Sequence, residues 1–240
     1  MTVVPYQLTV AGENALMLYF EQHISPDVAA KVQQACVLIR QALADDIIDL
    51  LPSYASVMIV FNALKTDAYQ VTPKIKHCLQ QLTTESSQSG KLVELPVYYS
   101  EQSGPDLRLI ADTKQLSVEE VIRRHQAQLY RVYAIGFAPG FAYLGEVDPV
   151  LQMPRLATPR AKVPRGAVAI ADRQTAVYPA QSPGGWNLIG LCPTRMFKPD
   201  ASPAMPVSVG DEVRFVSIDK AEFIRLGGEL PELELLGNKS

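Results

Sequence analysis

Three arginines recur in one proline-rich stretch of the sequence, PRLATPRAKVPRG. Arg155, Arg160 and Arg165 are spaced five residues apart, and each follows a proline. A guanidinium carries several N–H groups in a fixed plane, which suits two-point binding of a carboxylate or a phosphate. Prolines that stiffen the stretch lower the entropic cost of aiming such groups. The pattern indicates either an anion-binding loop or solvated surface charge, and Arg160, in the middle, is the candidate catalytic arginine.

Segments that combine glycines with aromatic residues stand on both sides of this stretch, GFAPGFAYLG before it and YPAQSPGGWNLIG after it. Glycines allow the backbone to approach a ligand closely, and aromatic rings supply apolar walls. The alternative is a barrel corner with tight turns, with Trp186, the only tryptophan of the chain, in the core. We predict a substrate or nucleotide pocket lined by Phe137, Pro139, Gly140, Phe141, Tyr178, Ser182, Pro183, Gly184, Gly185 and Trp186.

His125 is the second candidate catalytic residue, because a histidine titrates near neutral pH and can transfer a proton. It belongs to a stripe of apolar residues that recur at helical spacing. A core histidine with satisfied hydrogen bonds is therefore the alternative. The three histidines and three cysteines are scattered along the chain, so we expect no protein-bound metal and no disulfide framework.

The first half of the chain alternates strand pairs with helices. YQLTVAG and ALMLYF indicate one pair of strands, and IIDLLPSY and ASVMIVFN indicate another. Ser25 and Pro26 are typical of a helix start, and a second helix is predicted after Thr72 and Pro73. The first helix is expected to bury Val28, Val32, Ala35, Ile39 and Leu43. This order of elements predicts a ferredoxin-like α/β sandwich over residues 1–90.

The second half has a different pattern of turns. Eleven prolines lie between Pro139 and Pro206, a density that helices of ordinary length do not tolerate. One helix before them is clear, because Ser117 and Glu120 form a capping box. The later apolar runs are short and are separated by proline and glycine. They predict a β-barrel or a β-sandwich over residues 91–240.

Composition excludes several kinds of partner. The net charge of −3 gives no electrostatic reason to expect a nucleic acid or an anionic membrane as a partner. The apolar runs are far shorter than the roughly 20 residues that cross a bilayer. The sequence shows no signal peptide at its N-terminus. We therefore expect a cytoplasmic protein, and one that handles any nucleotide without the GxxxxGK[ST] phosphate loop, which the sequence lacks.

The segment from Gly136 to Gly190 resembles the family of the 5-oxoprolinase B subunit, which includes KipI-type kinase inhibitors and allophanate hydrolase subunit 1. The elements PGF, VPRGAVAIA, QTAVYP and SPGGWNLIG carry the resemblance in order and spacing. Looser similarity extends over nearly the whole chain and includes GPDL, from Gly104 to Leu107. The resemblance implies an N-terminal ferredoxin-like domain followed by a C-terminal cyclophilin-like β-barrel.

The resemblance also implies a function. It indicates one component of an ATP-dependent 5-oxoprolinase, which acts with the C and A subunits of that enzyme on a small lactam and is inactive alone. ATP, with Mg²⁺ as its counter-ion, is then expected to bind together with the partner subunit. The alternatives are a KipI-type regulator of a sensor histidine kinase and, ranked lower, allophanate hydrolase subunit 1.

This chain departs from the family pattern at three places. It has YYSEQS before GPDL, where the family has a glycine-rich stretch. It has Arg165 where the family has a small residue, and Leu191 with Cys192 where the family has Arg-Thr. The last change removes a cation that could face the pocket.

Overall fold

The computed structural model describes residues 5–21, 25–83 and 90–231. The chain divides into two compact units, Met1–Ser89 and Gly90–Ser240. The division lies beside the predicted boundary after residue 90. Residues 84–89, just before this boundary, lie outside the described residues.

In the part of the first unit that the structure describes, two helices accompany a four-stranded antiparallel sheet. The strand order is β1-β2-β4-β3, so β4 lies between β2 and β3. Counted from β2, the chain runs β-α-β-β-α, and β1 takes the place of the last strand of a ferredoxin-like sandwich. The elements are β1 Gln7–Val10, β2 Ala15–Tyr19, α1 Pro26–Ala42, β3 Ile47–Pro52, β4 Ser56–Phe61 and α2 Ala68–Cys78.

Helix α1 begins and packs as its sequence predicts. The Ser25 hydroxyl accepts a hydrogen bond from the Val28 amide at 3.2 Å, which satisfies one of the free N–H groups of the first turn. All five apolar residues of the predicted stripe are buried in the core of this unit. The stripe therefore fixes which face of α1 packs on the sheet.

Helix α2 begins earlier than its sequence suggests. The prediction placed its start after Pro73, but Pro73 lies inside the helix, which begins at Ala68. The Asp67 carboxylate accepts a hydrogen bond from the Gln70 amide at 2.8 Å and caps the helix there. Burial of Val71 and Ile75 offsets the one hydrogen bond that the proline cannot make.

The second unit contains nine strands and three helices among the residues that the structure describes. Two helices precede the main run of strands, and one follows it. The elements are β5 Leu92–Val97, α3 Leu107–Lys114, α4 Val118–Ala127, β6 Tyr130–Ile135, β7 Ala142–Gly145, β8 Arg160–Val163, β9 Ala167–Ala171, β10 Gln174–Val177, β11 Ser182–Gly184, β12 Asn187–Leu191, β13 Glu212–Ser217 and α5 Lys220–Arg225.

Seven of these strands form a nearly closed barrel in the order β12-β9-β10-β7-β6-β13-β5. Tyr98, just after β5, and Leu191, at the end of β12, join the two edges through backbone hydrogen bonds of 2.8 and 3.0 Å. Closure removes the exposed strand edges that an open sheet would present. The remaining strands, β8 and β11, pair as a separate two-stranded ribbon. The predicted fold class, a ferredoxin-like sandwich followed by a cyclophilin-like barrel, is confirmed.

Within residues 5–21, 25–83 and 90–231, no helix is long and apolar enough to cross a membrane.

Candidate functional site

A cavity of about 230 Å³ opens in the barrel unit. Five aromatic residues form much of its wall, and the β8–β11 ribbon contributes proline and glycine. Its lining residues are Phe137, Phe141, Tyr143, Arg155, Pro159, Tyr178, Pro183, Gly184, Gly185 and Trp186.

Most of the residues predicted for the pocket meet here, although they lie on two separate segments of the chain. The exceptions are Pro139, Gly140 and Ser182, which do not line the cavity. Gly140 has a φ of 88°, and a Cβ on it would lie 2.8 Å from the Met196 carbonyl oxygen. This glycine allows a tight turn against a neighbouring loop, which is the barrel-corner role that the sequence left open.

The aromatic rings of the wall pack against one another. Phe141 makes edge-to-face contacts with Tyr178 at 5.3 Å and with Trp186 at 5.7 Å between ring centroids. Trp186 is only 5% exposed, yet it lines the cavity. The single indole therefore belongs to the core cluster and to the cavity wall together. Such a wall needs little rearrangement to receive an apolar ring.

Gly184 lets the β8–β11 ribbon pack closely against Tyr178. It pairs with Arg160 across the ribbon. A Cβ on Gly184 would fall well inside van der Waals contact of the Tyr178 hydroxyl oxygen. The neighbouring Gly185 is less confined, since a Cβ there would have its nearest neighbours at 3.6 Å. Close packing against Tyr178 therefore requires a glycine at position 184 but not at position 185.

The three arginines of the proline-rich stretch have different surroundings. Arg155 is exposed and lines the cavity, with its Cζ 5.8 Å from the centre of the Trp186 ring, in a cation–π arrangement. Arg165 is half-buried in the turn between β8 and β9 and does not line the cavity. Only Arg160 is buried. The regular spacing of five residues does not produce one shared anion site.

Arg160 forms a buried ion pair with Asp106. Its Nη2 donates to Asp106 Oδ1 at 2.8 Å, and the side chains are 6% and 8% exposed. The other carboxylate oxygen, Oδ2, accepts from the Leu188 amide of β12 at 2.6 Å. The Nε and Nη1 atoms of Arg160 are buried and have no hydrogen-bond partner among the described residues. The guanidinium is therefore fixed in place but only partly satisfied.

Arg160 does not line the cavity, yet its charge acts on the cavity wall. Burial raises the pKa of the Tyr178 hydroxyl to about 12, and the charges of Arg155 and Arg160 oppose this rise. The Trp186 backbone amide also donates a hydrogen bond to the Tyr178 oxygen, and this bond likewise lowers the pKa of Tyr178. Tyr178 thus stays neutral at physiological pH and keeps its proton as a hydrogen-bond donor.

Sequence reasoning missed Asp106 and Pro159, and it left Tyr143 and Arg155 out of the predicted pocket. The signal for Asp106 was the GPDL segment, which contains it. Gly104 begins that segment, and a Cβ there would clash with the backbone of Ile189 and Gly190. The glycine lets the segment lie directly against β12, which brings Asp106 to Leu188 and to Arg160.

The structure does not bring His125 to the cavity. It is fully buried in the barrel core and stacks on Phe215 with 4.7 Å between ring centres. The Thr175 hydroxyl donates to the Ala169 carbonyl at 2.9 Å, so it accepts from His125 Nε2 at 3.0 Å. Tyr99 then donates its hydroxyl proton to His125 Nδ1 at 2.8 Å. Both ring nitrogens are satisfied in the neutral form, which favours the core role over proton transfer.

His125 is expected to make the barrel unit sensitive to acid. Burial lowers its pKa to about 3, against an ordinary value of 6.5. Between these two values the unfolded chain takes up a proton that the folded chain does not, so stability falls as the pH drops. We expect His125 to account for roughly 1.5 kcal/mol of the stability lost between pH 6.5 and pH 5.

Urea unfolding followed by the fluorescence of Trp186, which lies in the same unit, measures this loss. The matched control is His77→Gln, because His77 is an exposed histidine of α2 in the other unit. In His125→Gln, the free energy of unfolding should depend less on pH between pH 6.5 and pH 5, whatever its value at pH 7. If the free energy of unfolding of His125→Gln falls with pH as steeply as that of the unaltered chain, His125 is not the cause of the acid sensitivity.

Comparisons with known proteins agree with this architecture. The family model of the carboxyltransferase domain, subdomain C and D, matches residues 6–207. The chain is 34% identical over 230 residues to a Bacillus subtilis protein named as the B subunit of 5-oxoprolinase, and the match covers 92% of this chain and 96% of that protein. It is 33% identical over 207 residues to an Escherichia coli O157:H7 protein of the same name, with 85% and 93% covered.

Two solved structures have a similar fold. The crystal structure of TTHA0988 is similar at a TM-score of 0.77 and 32% identity, over 92% of this chain and 41% of that one. The K. lactis urea amidolyase shares the fold at a TM-score of 0.74 and 17% identity, over 94% of this chain and 16% of that one. This chain thus spans less than half the length of either. It belongs, as the sequence predicts, to the carboxyltransferase subdomain C and D family that includes the B subunit of 5-oxoprolinase.

Proposed function

We propose that the chain is the B subunit of an ATP-dependent 5-oxoprolinase, which hydrolyses 5-oxoproline to glutamate together with the C and A subunits. The names of the relatives support this role, since each relative matches nearly its whole length. The observation at the site that carries the proposal is the small cavity with aromatic walls beside a buried arginine. Such a cavity suits a compact ring with one charged substituent.

The substrate explains why the reaction needs ATP. 5-Oxoproline is an unstrained five-membered lactam, and amide resonance stabilises it against attack by water. Its product closes again easily, because the amine and the carboxylate belong to one chain. Coupling to ATP supplies the driving force for opening the ring. The task of this chain is to hold the lactam away from water and in a fixed orientation.

The cavity does not fit ATP. Its volume of about 230 Å³ is below the roughly 300–1,000 Å³ of pockets that hold drug-sized ligands. Arg155 is the charged residue among those that line it, whereas a triphosphate needs several cations or backbone amides. We therefore place ATP and its Mg²⁺ outside this cavity, at a site that the partner subunit helps to form.

The residues of the cavity have distinct roles in the proposed complex. Phe141 and Trp186 form an apolar surface for the ring, and their mutual packing keeps them in place. Tyr178 donates its hydroxyl proton to an acceptor on the ligand. Arg155, exposed at the cavity, attracts an anionic substrate. The exclusion of water strengthens each of these polar contacts.

Reconstitution with the partner subunits tests the proposal. ATP-dependent release of glutamate from 5-oxoproline is measured with the complete set of subunits and with each one omitted in turn. We expect no activity when this chain is left out, and none from this chain alone. Full rates without the chain, or rapid hydrolysis by the chain alone, would each contradict the proposed role.

A further inference from the structure

Phe137 presents an aromatic ring to solvent from a strained position in the loop between β6 and β7. The residue is 70% exposed, and its φ of 70° lies in the left-handed region, which residues other than glycine seldom adopt. The Gly136 amide donates to the Phe141 carbonyl, and the Phe141 amide to the Ala138 carbonyl, both at 3.0 Å. Strained residues persist where such contacts fix them, and they are concentrated at functional sites. The loop therefore holds a large apolar ring in contact with water.

Phe137 belongs to an apolar surface at the edge of the cavity, which we call the rim surface. A Cβ on Gly140 would lie 2.8 Å from the Cβ of Phe197, so the loop that carries Phe137 contacts the loop that carries Phe197. Phe197 is 37% exposed. Exposed apolar groups that cluster in this way mark sites of protein–protein interaction. The residues of the rim surface, all exposed, are Phe137, Pro139, Pro159, Pro183 and Phe197.

Positive charge is concentrated in the part of the chain that carries the rim surface. Residues 148–200 contain seven arginines and lysines against three acidic residues, whereas the whole chain has 22 against 25. Arg195 and Lys198 flank Phe197 closely in the sequence, and both are exposed. Neither of them forms an ion pair with a described residue. Unpaired cations beside an exposed aromatic ring complement an acidic surface on another protein.

We propose that the rim surface, together with Arg195 and Lys198, is the docking site of the partner subunit, which covers it with an acidic surface. An aromatic centre bordered by charged residues is the usual composition of a protein interface. Because Phe137 lines the cavity, the docked partner closes the cavity and excludes water from it. This closure accounts for the expected inactivity of the chain alone. The identity of the occupant rests on the proposed function, and its acidic character rests on the charges beside the rim surface.

Hydroxyl-radical footprinting locates the docking site on the unaltered full-length chain, with and without the purified C subunit. Oxidation of each side chain is measured by mass spectrometry. We expect the oxidation rates of Phe137 and Phe197 to fall about threefold or more on binding, since a docked partner excludes water from the centre of its interface. Leu64 and Tyr69 are the internal controls, because they are 97% and 90% exposed and lie in the first unit. Their oxidation rates should not change.

Two substitutions of Phe137 separate the contribution of the ring from that of charge. Asparagine and aspartate both tolerate the left-handed region, so Phe137→Asn and Phe137→Asp preserve the loop. Loss of the ring in Phe137→Asn should weaken binding of the C subunit about tenfold, measured by calorimetry. Phe137→Asp should weaken it by about a further tenfold at low ionic strength, and salt should reduce this difference. Leu64→Asp is the control and should bind within about threefold of the unaltered chain.

Charge reversal tests the acidic character of the partner surface. Arg195→Glu should weaken binding of the C subunit about tenfold at low ionic strength and less at high ionic strength, because salt screens exposed charges. Lys76→Glu reverses an exposed cation of helix α2 and should leave the affinity within about threefold of the unaltered chain. Circular dichroism confirms that each variant is folded.

Unchanged oxidation of Phe137 and Phe197 in the complex, or failure of the C subunit to bind, would overturn the docking site. Equal affinities of Phe137→Asn and Phe137→Asp, or full affinity of Arg195→Glu, would overturn the acidic character of the partner surface. Self-association of the chain alone that Phe137→Asn abolishes, seen by sedimentation, would assign the rim surface to a second copy instead. Glutamate release in the reconstituted complex decides the 5-oxoprolinase role whichever surface the partner occupies, so the two proposals can fail separately.

Discussion

Asp106→Ala is expected to lower the free energy of unfolding of the barrel unit by about 3–5 kcal/mol. The substitution leaves the Arg160 guanidinium buried without its carboxylate. It also removes the acceptor of the Leu188 amide in β12. An uncompensated charge in a site of low dielectric is among the most costly single defects that a protein core can carry. Urea unfolding followed by Trp186 fluorescence measures the loss, since this residue lies in the same unit.

Two further variants show whether the buried charge is the cause. Asp112→Ala removes an exposed aspartate of the nearby helix α3 and should cost less than about 0.5 kcal/mol. Asp106→Leu combined with Arg160→Met replaces the pair with apolar side chains and should recover most of the stability lost by Asp106→Ala. A loss below about 1 kcal/mol for Asp106→Ala would mean that water reaches the pair.

Gly184→Ala is expected to lower kcat/KM of the reconstituted complex roughly 10- to 100-fold, which corresponds to about 1.4–2.7 kcal/mol. The added methyl group would occupy the space of the Tyr178 hydroxyl. Tyr178 is buried and held edge-to-face by Phe141, so its ring cannot move aside without disturbing the rest of the wall. The cavity must therefore change shape or the ribbon must shift.

Gly185→Ala is the matched control for this prediction. Both glycines line the cavity, but a Cβ on Gly185 would meet its nearest neighbours, Leu156 and Pro159, at an ordinary 3.6 Å. We expect its kcat/KM to stay within about threefold of the unaltered complex, with both variants still assembling with their partner subunits. Equal losses in the two variants, or none in Gly184→Ala, would show that the contact with Tyr178 does not shape the site.

Local features of the structure follow from the sequence because their causes lie within a few residues. Ser25 and Ser117 cap α1 and α4 through hydrogen bonds to amides three residues away. The strand pairs of the first unit follow from alternation around short turns. The density of prolines excluded long helices after residue 139, and the second unit is strand-rich there. The glycine and aromatic segments likewise identified most of the cavity wall.

Other features depend on contacts between residues that are distant in the chain. Asp106 and Arg160 are 54 residues apart, and they meet only because the barrel brings the GPDL segment against β12. His125 and Thr175 are 50 residues apart, and their pairing in the buried core decided between the two roles that the sequence left open for this histidine. The three arginines are evenly spaced in the sequence, but only Arg160 is buried in the folded chain.

Residue types and their order along the chain set the fold family, the elements and the composition of the cavity wall, because propensity, capping and patterning act locally. Packing of the folded chain determines which polar side chains are desolvated and which partner each one has. Desolvation lowers the pKa of His125 and raises that of Tyr178, and packing buries Arg160 but not Arg155 or Arg165. The burial and long-range pairing of these polar side chains are properties of the packed chain, so the pattern of residue types did not assign them.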